Sequence, residues 1–151
     1  MIVVPAVGAV RLLDSLTDSL QAWVHLYVNP AQLSTATVLA DFLEASFPLY
    51  IPQQVKRWFA ATWIGDRAEA FGDTVAWTRG IPFGPQTVYG VYLTAGQLGP
   101  LLYAEPSPFG PIPVDHAGQV LDYTPRLTMK GSCDEVIASM RAALAGRSQV
   151  I

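Results

Sequence analysis

The sequence is short of charge. Only 14% of its 151 residues are Asp, Glu, Lys or Arg, against about 25% in an ordinary soluble domain. The nine basic residues are scattered, only Lys56 and Arg57 adjoin, and the formal net charge is −3. Nucleic-acid binding needs a dense positive face to displace counterions, and an anionic membrane surface needs the same, so neither partner is expected. Cysteine is nearly absent. Cys133 stands alone, which excludes an internal disulfide and suits a reducing compartment. Only two histidines occur, His25 and His116; with one distant cysteine they give no zinc-ligand spacing. Long apolar runs are missing too. The start, Met1 to Gly8, is apolar but lacks the basic lead of a signal peptide, and Arg11 and Asp14 interrupt it well before the ~18 apolar residues of a membrane span. No period of 20–50 residues repeats, which excludes a solenoid or propeller.

What is abundant is apolar and aromatic. Hydrophobic residues make up 51%, with four tryptophans, six tyrosines and six phenylalanines. Such a surplus requires either a large core or apolar surface meant for partners. Twelve prolines and twelve glycines cut the chain into short pieces, the punctuation of sandwiches and barrels.

The apolar spacing of Val10, Leu12, Leu13, Leu16 and Leu20 suits a short helix or an arm ordered on a neighbour. From Gln21 to Asn29, Ala22, Val24, Leu26 and Val28 alternate with Trp23, His25 and Tyr27, a strand with an aliphatic and an aromatic face. Residues 31–52 read as a long crossing loop with one short strand, and 55–64, with Trp58, Phe59 and Trp63, as a segment packed over a sheet. Strands are expected at 68–71 and 74–79, joined through Gly72-Asp73 as a tight hairpin. The best strand is 86–94, with Gly90 marking a bulge or a close backbone approach. The chain turns over 95–100 and returns over 101–105, and Pro106 to Pro111 form a rigid loop. Residues 120–123 and 126–129 form a last strand pair, or one strand broken at Pro125. Ser132 and Glu135 form a capping box, and Val136, Ile137, Met140, Ala143 and Leu144 then share one helical face. The expected fold is therefore mainly β: an antiparallel β-sandwich or jelly-roll body over 21–130, a short helix or arm over 1–20, and an amphipathic helix within 131–151.

Nothing in this pattern reads as a catalytic, cofactor-binding or metal-binding motif. His25 lies inside a strand and His116 beside Asp115 in a turn, so neither is placed as a base. Glu69 and Glu105 both fall on strands and are the only glutamates that suggest a glycosidase pair; outward positions on alternating strands explain them as well. Gly80 to Pro85 is glycine-rich, but its prolines lack the donors a phosphate loop presents. Clustered aromatics remain, as core, subunit interface or sugar-stacking platform.

Several segments together resemble small structural proteins of tailed phages and related environmental viral sequences: Leu26 to Asn29, Thr37 to Ala45, Pro48 to Tyr50, Tyr89 to Leu93 and Thr124 to Leu127. The likeness spans roughly residues 7–130. It implies a virion component assembled in the host cytoplasm, a capsid cement or decoration protein, or a tail or adaptor piece. Its partners would be copies of itself, as a trimer, and the major capsid protein or another virion protein. On that view Trp23, Tyr27, Trp58, Trp63 and Phe109 are interface or anchor residues. The alternatives are a carbohydrate-binding β-sandwich for host attachment and an enzyme using Glu69 and Glu105.

Overall fold

The computed structural model describes residues 5–80 and 85–130. The expected helix after Gly131, its capping box and Cys133 lie outside the described residues. In chain order the elements are α1 (Ala6–Ser19), β1 (Ala22–Tyr27), a 3-10 turn (Leu39–Asp41), β2 (Gln53–Gln54), β3 (Thr62–Ile64), β4 (Arg67–Phe71), β5 (Val75–Thr78), β6 (Gln86–Val88), β7 (Gly90–Ala95), β8 (Leu101–Pro106), β9 (Ile112–Val114), β10 (Val120–Tyr123) and β11 (Arg126–Lys130). The fold is mainly β, every pairing among these strands is antiparallel, and one helix stands at the N-terminal end. The chain divides into two compact units, the first drawn from residues 1–20, 57–73 and 124–151, the second from 21–56 and 74–123.

In the first unit α1 lies on a three-stranded sheet of order β11-β4-β3. Ala9, Leu13 and Thr17, at helical spacing, are its buried residues. Ala9 and Leu13 meet Ala61, Ala68 and Ala70, with Val10, Leu16, Trp58 and Leu127 packed around them. The alanines let helix and sheet approach closely. The Thr17 hydroxyl donates to the Leu13 carbonyl within its own helix, so a polar side chain is buried without an orphaned hydrogen. Asp14 Oδ1 accepts the Ala61 N–H at 2.6 Å. The segment expected as a helix or arm is thus a docked helix of this unit. β3 and β4 form a tight hairpin through Gly65-Asp66, where Ile64 pairs with Arg67 and Gly65 takes φ 63°.

The hairpin expected at Gly72-Asp73 does not form. β4 pairs with β3 and β11, whereas β5 pairs with β10. Gly72 N–H donates to the Pro125 carbonyl and Asp73 N–H to the Arg57 carbonyl. Both donors are engaged by other chain segments, and Gly72 lacks the positive φ that a two-residue hairpin turn requires. The pairing expected between 120–123 and 126–129 fails likewise: β10 and β11 belong to different sheets, separated by Thr124-Pro125.

The second unit holds a four-stranded sheet of order β2-β1-β7-β8 and the two-stranded pairs β10-β5 and β6-β9. β1 is the expected two-faced strand: Val24 and Leu26 on one side, His25 and Tyr27 on the other, are all buried. The long strand expected over 86–94 is broken at Tyr89, so that β6 turns to β9 while β7 stays with β1 and β8. Gly90 marks the break. A Cβ there would collide with the Glu105 carbonyl, the Tyr27 hydroxyl and Pro106 Cα, the close approach that its mid-strand position suggested. Residues 31–52 cross as a loop whose only regular elements are the 3-10 turn and a single bridge of Glu44 to Tyr27.

Candidate functional site

A buried polar cluster is built on the aromatic face of β1 and β7. His25 and Tyr92 are direct cross-strand partners, and their rings stack with centroids 4.6 Å apart. His25 Nδ1 lies 2.8 Å from Glu44 Oε1 and Nε2 lies 2.9 Å from Thr94 Oγ1. The Tyr50 hydroxyl donates to the same Glu44 oxygen at 2.8 Å and accepts the Leu26 N–H at 3.1 Å. Phe42 stacks on Tyr92 and tilts against Tyr27. Burial is the main cause that raises the Tyr50 phenol well above its ordinary range, with Glu44 adding to it, and burial pushes Tyr92 up to about 12.

Thr94, His25 and Glu44 have the connectivity of a hydroxyl–imidazole–carboxylate triad, yet the hydrogens run the wrong way for one. Thr94 has a single hydroxyl hydrogen, and its oxygen lies 2.6 Å from the Gly96 carbonyl. The geometry gives that hydrogen to Gly96 rather than to the imidazole, which would have to take it in a triad. A nucleophile needs a base with a free lone pair and a substrate within reach; Thr94 is 1% exposed. What the cluster does is pin the crossing segment 42–50 onto the sheet. The alternation of 21–29 exposed His25, but its partners Glu44 and Thr94 are 19 and 69 residues away, with no local signal linking them.

The two glutamates considered as a pair are each engaged within their own unit. Glu69, 4% exposed, accepts from Arg67 Nε at 2.7 Å. Glu105 Oε2 accepts from the Tyr123 hydroxyl at 2.7 Å, and Tyr123 in turn accepts from Tyr103 at 2.8 Å. The His116 imidazole lies 2.9 Å from its neighbour Asp115 Oδ1 in an exposed turn, and that contact holds the Asp115 carboxyl below its ordinary value. Among the described residues no group of three His, Cys, Asp or Glu side chains is placed to hold a metal ion, and no helix is long and apolar enough to cross a membrane.

The surface carries the other candidate. Of the residues expected at interfaces, Tyr27 is buried in the second unit's core at 1% exposure, with its hydroxyl against Gly90. Trp58 packs against the first unit's core. Trp23 is half-buried on β1, where it pairs with Gln54. Trp63 is exposed on β3, and Phe109 is 93% exposed. Sequence reading missed Leu98, also 93% exposed, and Leu49, 74% exposed. All three of Leu49, Leu98 and Phe109 occupy turns. Phe109 follows Pro108 in the turn closed by Gly110 N–H to the Ser107 carbonyl, with Gly110 at φ 81°. Leu98 sits in the turn closed by Gly99 N–H to the Gly96 carbonyl. Leu49 follows Pro48 in the turn closed by Tyr50 N–H to the Phe47 carbonyl, and takes φ 71°, the left-handed region where glycine or asparagine is normal. Beside β8, a hollow of about 320 Å³ opens between residues 33–37 and Leu101 to Ala104.

Comparison with protein-family models, with curated proteins and with solved structures finds no match for this chain.

Proposed function

We propose that this chain is a structural assembly protein, a component of a tailed-phage particle that acts by adhesion, as a capsid cement or decoration protein. One observation carries the reading: large apolar side chains stand at turn apices, with Leu98 and Phe109 each 93% exposed. Turns normally carry Gly, Asn, Asp or Ser, so a leucine and a phenylalanine held out at turn apices are unusual choices that a contact with a partner would account for. The low charge content of 14% agrees, since contact cores are depleted of charged residues. The resemblance of the Thr37 to Ala45 and Tyr89 to Leu93 segments to phage structural proteins supplies the setting. In this reading residues 21–130 are a β-sandwich or jelly-roll body. The protein forms a homo-oligomer, a trimer, bridges neighbouring copies of the major capsid protein, and resides in the virion.

A tail or adaptor position uses the same surfaces. A sugar-binding sandwich is less well supported, because only Trp63 of the four tryptophans is classed as exposed, and a stacking platform needs several open rings. Mass spectrometry of gradient-purified particles is the test. Peptides of this chain in fixed ratio to the major capsid protein carry the reading. Peptides in the lysate and none in particles overturn it.

A further inference from the structure

The hydrogens around His25 do not add up for a neutral imidazole. The Thr94 hydroxyl hydrogen goes to the Gly96 carbonyl, 2.6 Å away, which can only accept. Toward His25 Nε2, at 2.9 Å, Thr94 is left as an acceptor, which puts a hydrogen on Nε2. The other nitrogen, Nδ1, lies 2.8 Å from Glu44 Oε1. That oxygen is already an acceptor, since the Tyr50 hydroxyl donates to it while accepting the Leu26 N–H. A bare Nδ1 would set its lone pair against a carboxylate at hydrogen-bond distance, with no hydrogen from either side. A second proton has to lie between them.

The surroundings supply no other charge to answer it. On the described elements packed around the imidazole, β1 brings Tyr27, β7 brings Tyr92, β2 brings the untitratable Gln53 and Gln54, and the crossing segment brings Tyr50 and Glu44. Burial raises all three phenols above the ordinary 10.0, so they are uncharged near neutral pH. Glu44 is the charge facing the buried ring, and its side chain, 39% exposed, reaches solvent.

We infer that His25 and Glu44 form a proton-dependent latch: the crossing segment 42–50 is closed on β1 while a proton is held between Nδ1 and Oε1, and it loosens when that proton leaves. This goes beyond the assembly role proposed above and does not depend on it. Backbone bonds from Val28 N–H to the Leu43 carbonyl and from Ala45 N–H to the Leu26 carbonyl also join the segment to β1, so their protection reports the latch. The closed cluster binds one proton more than the open one. Closing is therefore strongest on the acid side and weakens as pH rises, by at most about tenfold per pH unit. Leu43 and Leu49, 62% and 74% exposed, ride on this segment, so the latch sets how firmly two apolar surface residues are held.

Imidazole nitrogen NMR and amide exchange of the full chain between pH 6 and pH 8 test this, on the wild type and on Glu44→Gln. A glutamine at position 44 can donate its own N–H to a bare Nδ1, closing the latch without the extra proton. In the wild type both His25 nitrogens are expected to be protonated at pH 6, with the hydrogen that remains after release on Nε2. Protection of the Ala45 amide, corrected for base-catalysed exchange, is expected to fall about tenfold over the same interval. In Glu44→Gln it is expected to stay level. A neutral imidazole at pH 6, a lone hydrogen on Nδ1, level Ala45 protection in the wild type, or an equal fall in Glu44→Gln each overturns the inference. The nitrogen spectra need only the wild type, so a variant that fails to fold leaves the test standing.

Discussion

The imidazole of His25 lies against the phenol of Tyr92 with the two planes 3° from parallel, and both of its nitrogens are bonded, one to Glu44 and one to Thr94. Glu44 is the keystone, because one of its oxygens also accepts the Tyr50 hydroxyl. Replacing it by alanine leaves two donors without an acceptor, and a buried group stripped of its partner costs about 1–3 kcal/mol. Glu44→Ala is expected to lower stability by about 2–3 kcal/mol, and Glu44→Gln by less. Urea unfolding followed by tryptophan fluorescence measures both. An unchanged midpoint for Glu44→Ala would show that the cluster does not hold the crossing segment down.

Gly90 admits no side chain. Overpacking a filled site costs roughly 1–3 kcal/mol, and Gly90→Ala is expected at or above the top of that range because one obstacle is the Glu105 carbonyl of the paired strand. Tyr27→Phe removes another obstacle, the hydroxyl, and is expected not to rescue it. Full rescue would show that the side chain, not the backbone, sets the limit.

Leu49 is a residue whose stability and use pull apart. A left-handed conformation costs a non-glycine residue about 1–2 kcal/mol. Leu49→Gly relieves that strain but gives back part of it through a more flexible unfolded chain, so a net gain of up to about 1 kcal/mol is expected. If the variant is more stable yet absent from purified particles, the leucine is kept for contact. If it is more stable and fully incorporated, Leu49 has no part in adhesion.

Helix α1 is integral to the first unit. Leu13 is 1% exposed, and truncating a buried leucine to alanine typically costs 2–5 kcal/mol. Leu13→Ala is expected within that range, by urea unfolding. A loss below about 1 kcal/mol would return the helix to the standing of a loosely attached arm.

Alkaline pH is expected to unfold the protein. Tyr50, Tyr92 and Tyr123 are all raised above the ordinary 10.0, Tyr92 to about 12. Above pH 10 these phenols ionise in the unfolded chain while staying protonated in the folded one. Their contribution is complete below pH 10 and is lost as pH rises towards 12, at about 1.4 kcal/mol per pH unit for each tyrosine. Urea midpoints at pH 8, 10 and 11.5 should be level over the first interval and fall over the second. A flat profile would mean that the phenols are solvated.

Local pattern made β1 legible, since alternation at 22–27 needs only neighbouring residues, and it marked Gly90 as special. It misplaced the hairpin, because Gly65-Asp66 and Gly72-Asp73 look alike as dipeptides. What separates them is where Gly72 and Asp73 send their N–H groups, to Pro125 and Arg57, and no local window holds that information. The polar cluster was hidden for the same reason: Glu44 and Thr94 gain meaning only when the sheet brings them to His25. Phe109 was legible because Pro and Gly surround it. Leu49 was not, since leucine at a left-handed turn position runs against residue preference, and such exceptions cannot be read from preference.

The two units are interleaved along the chain, which passes between them four times, at residues 20, 56, 73 and 123. β4 is flanked by β3, a few residues away, and by β11, which pairs residues 126–130 with 67–71. During synthesis the second unit therefore has all of its strands once Tyr123 leaves the ribosome, while the first still waits for the partner of Ala68 and Ala70. A nascent chain at that stage presents an open β4 edge, the kind of surface on which strangers pair. The order of translation thus makes the pairing of β11 with β4 the step that closes this edge against misassembly.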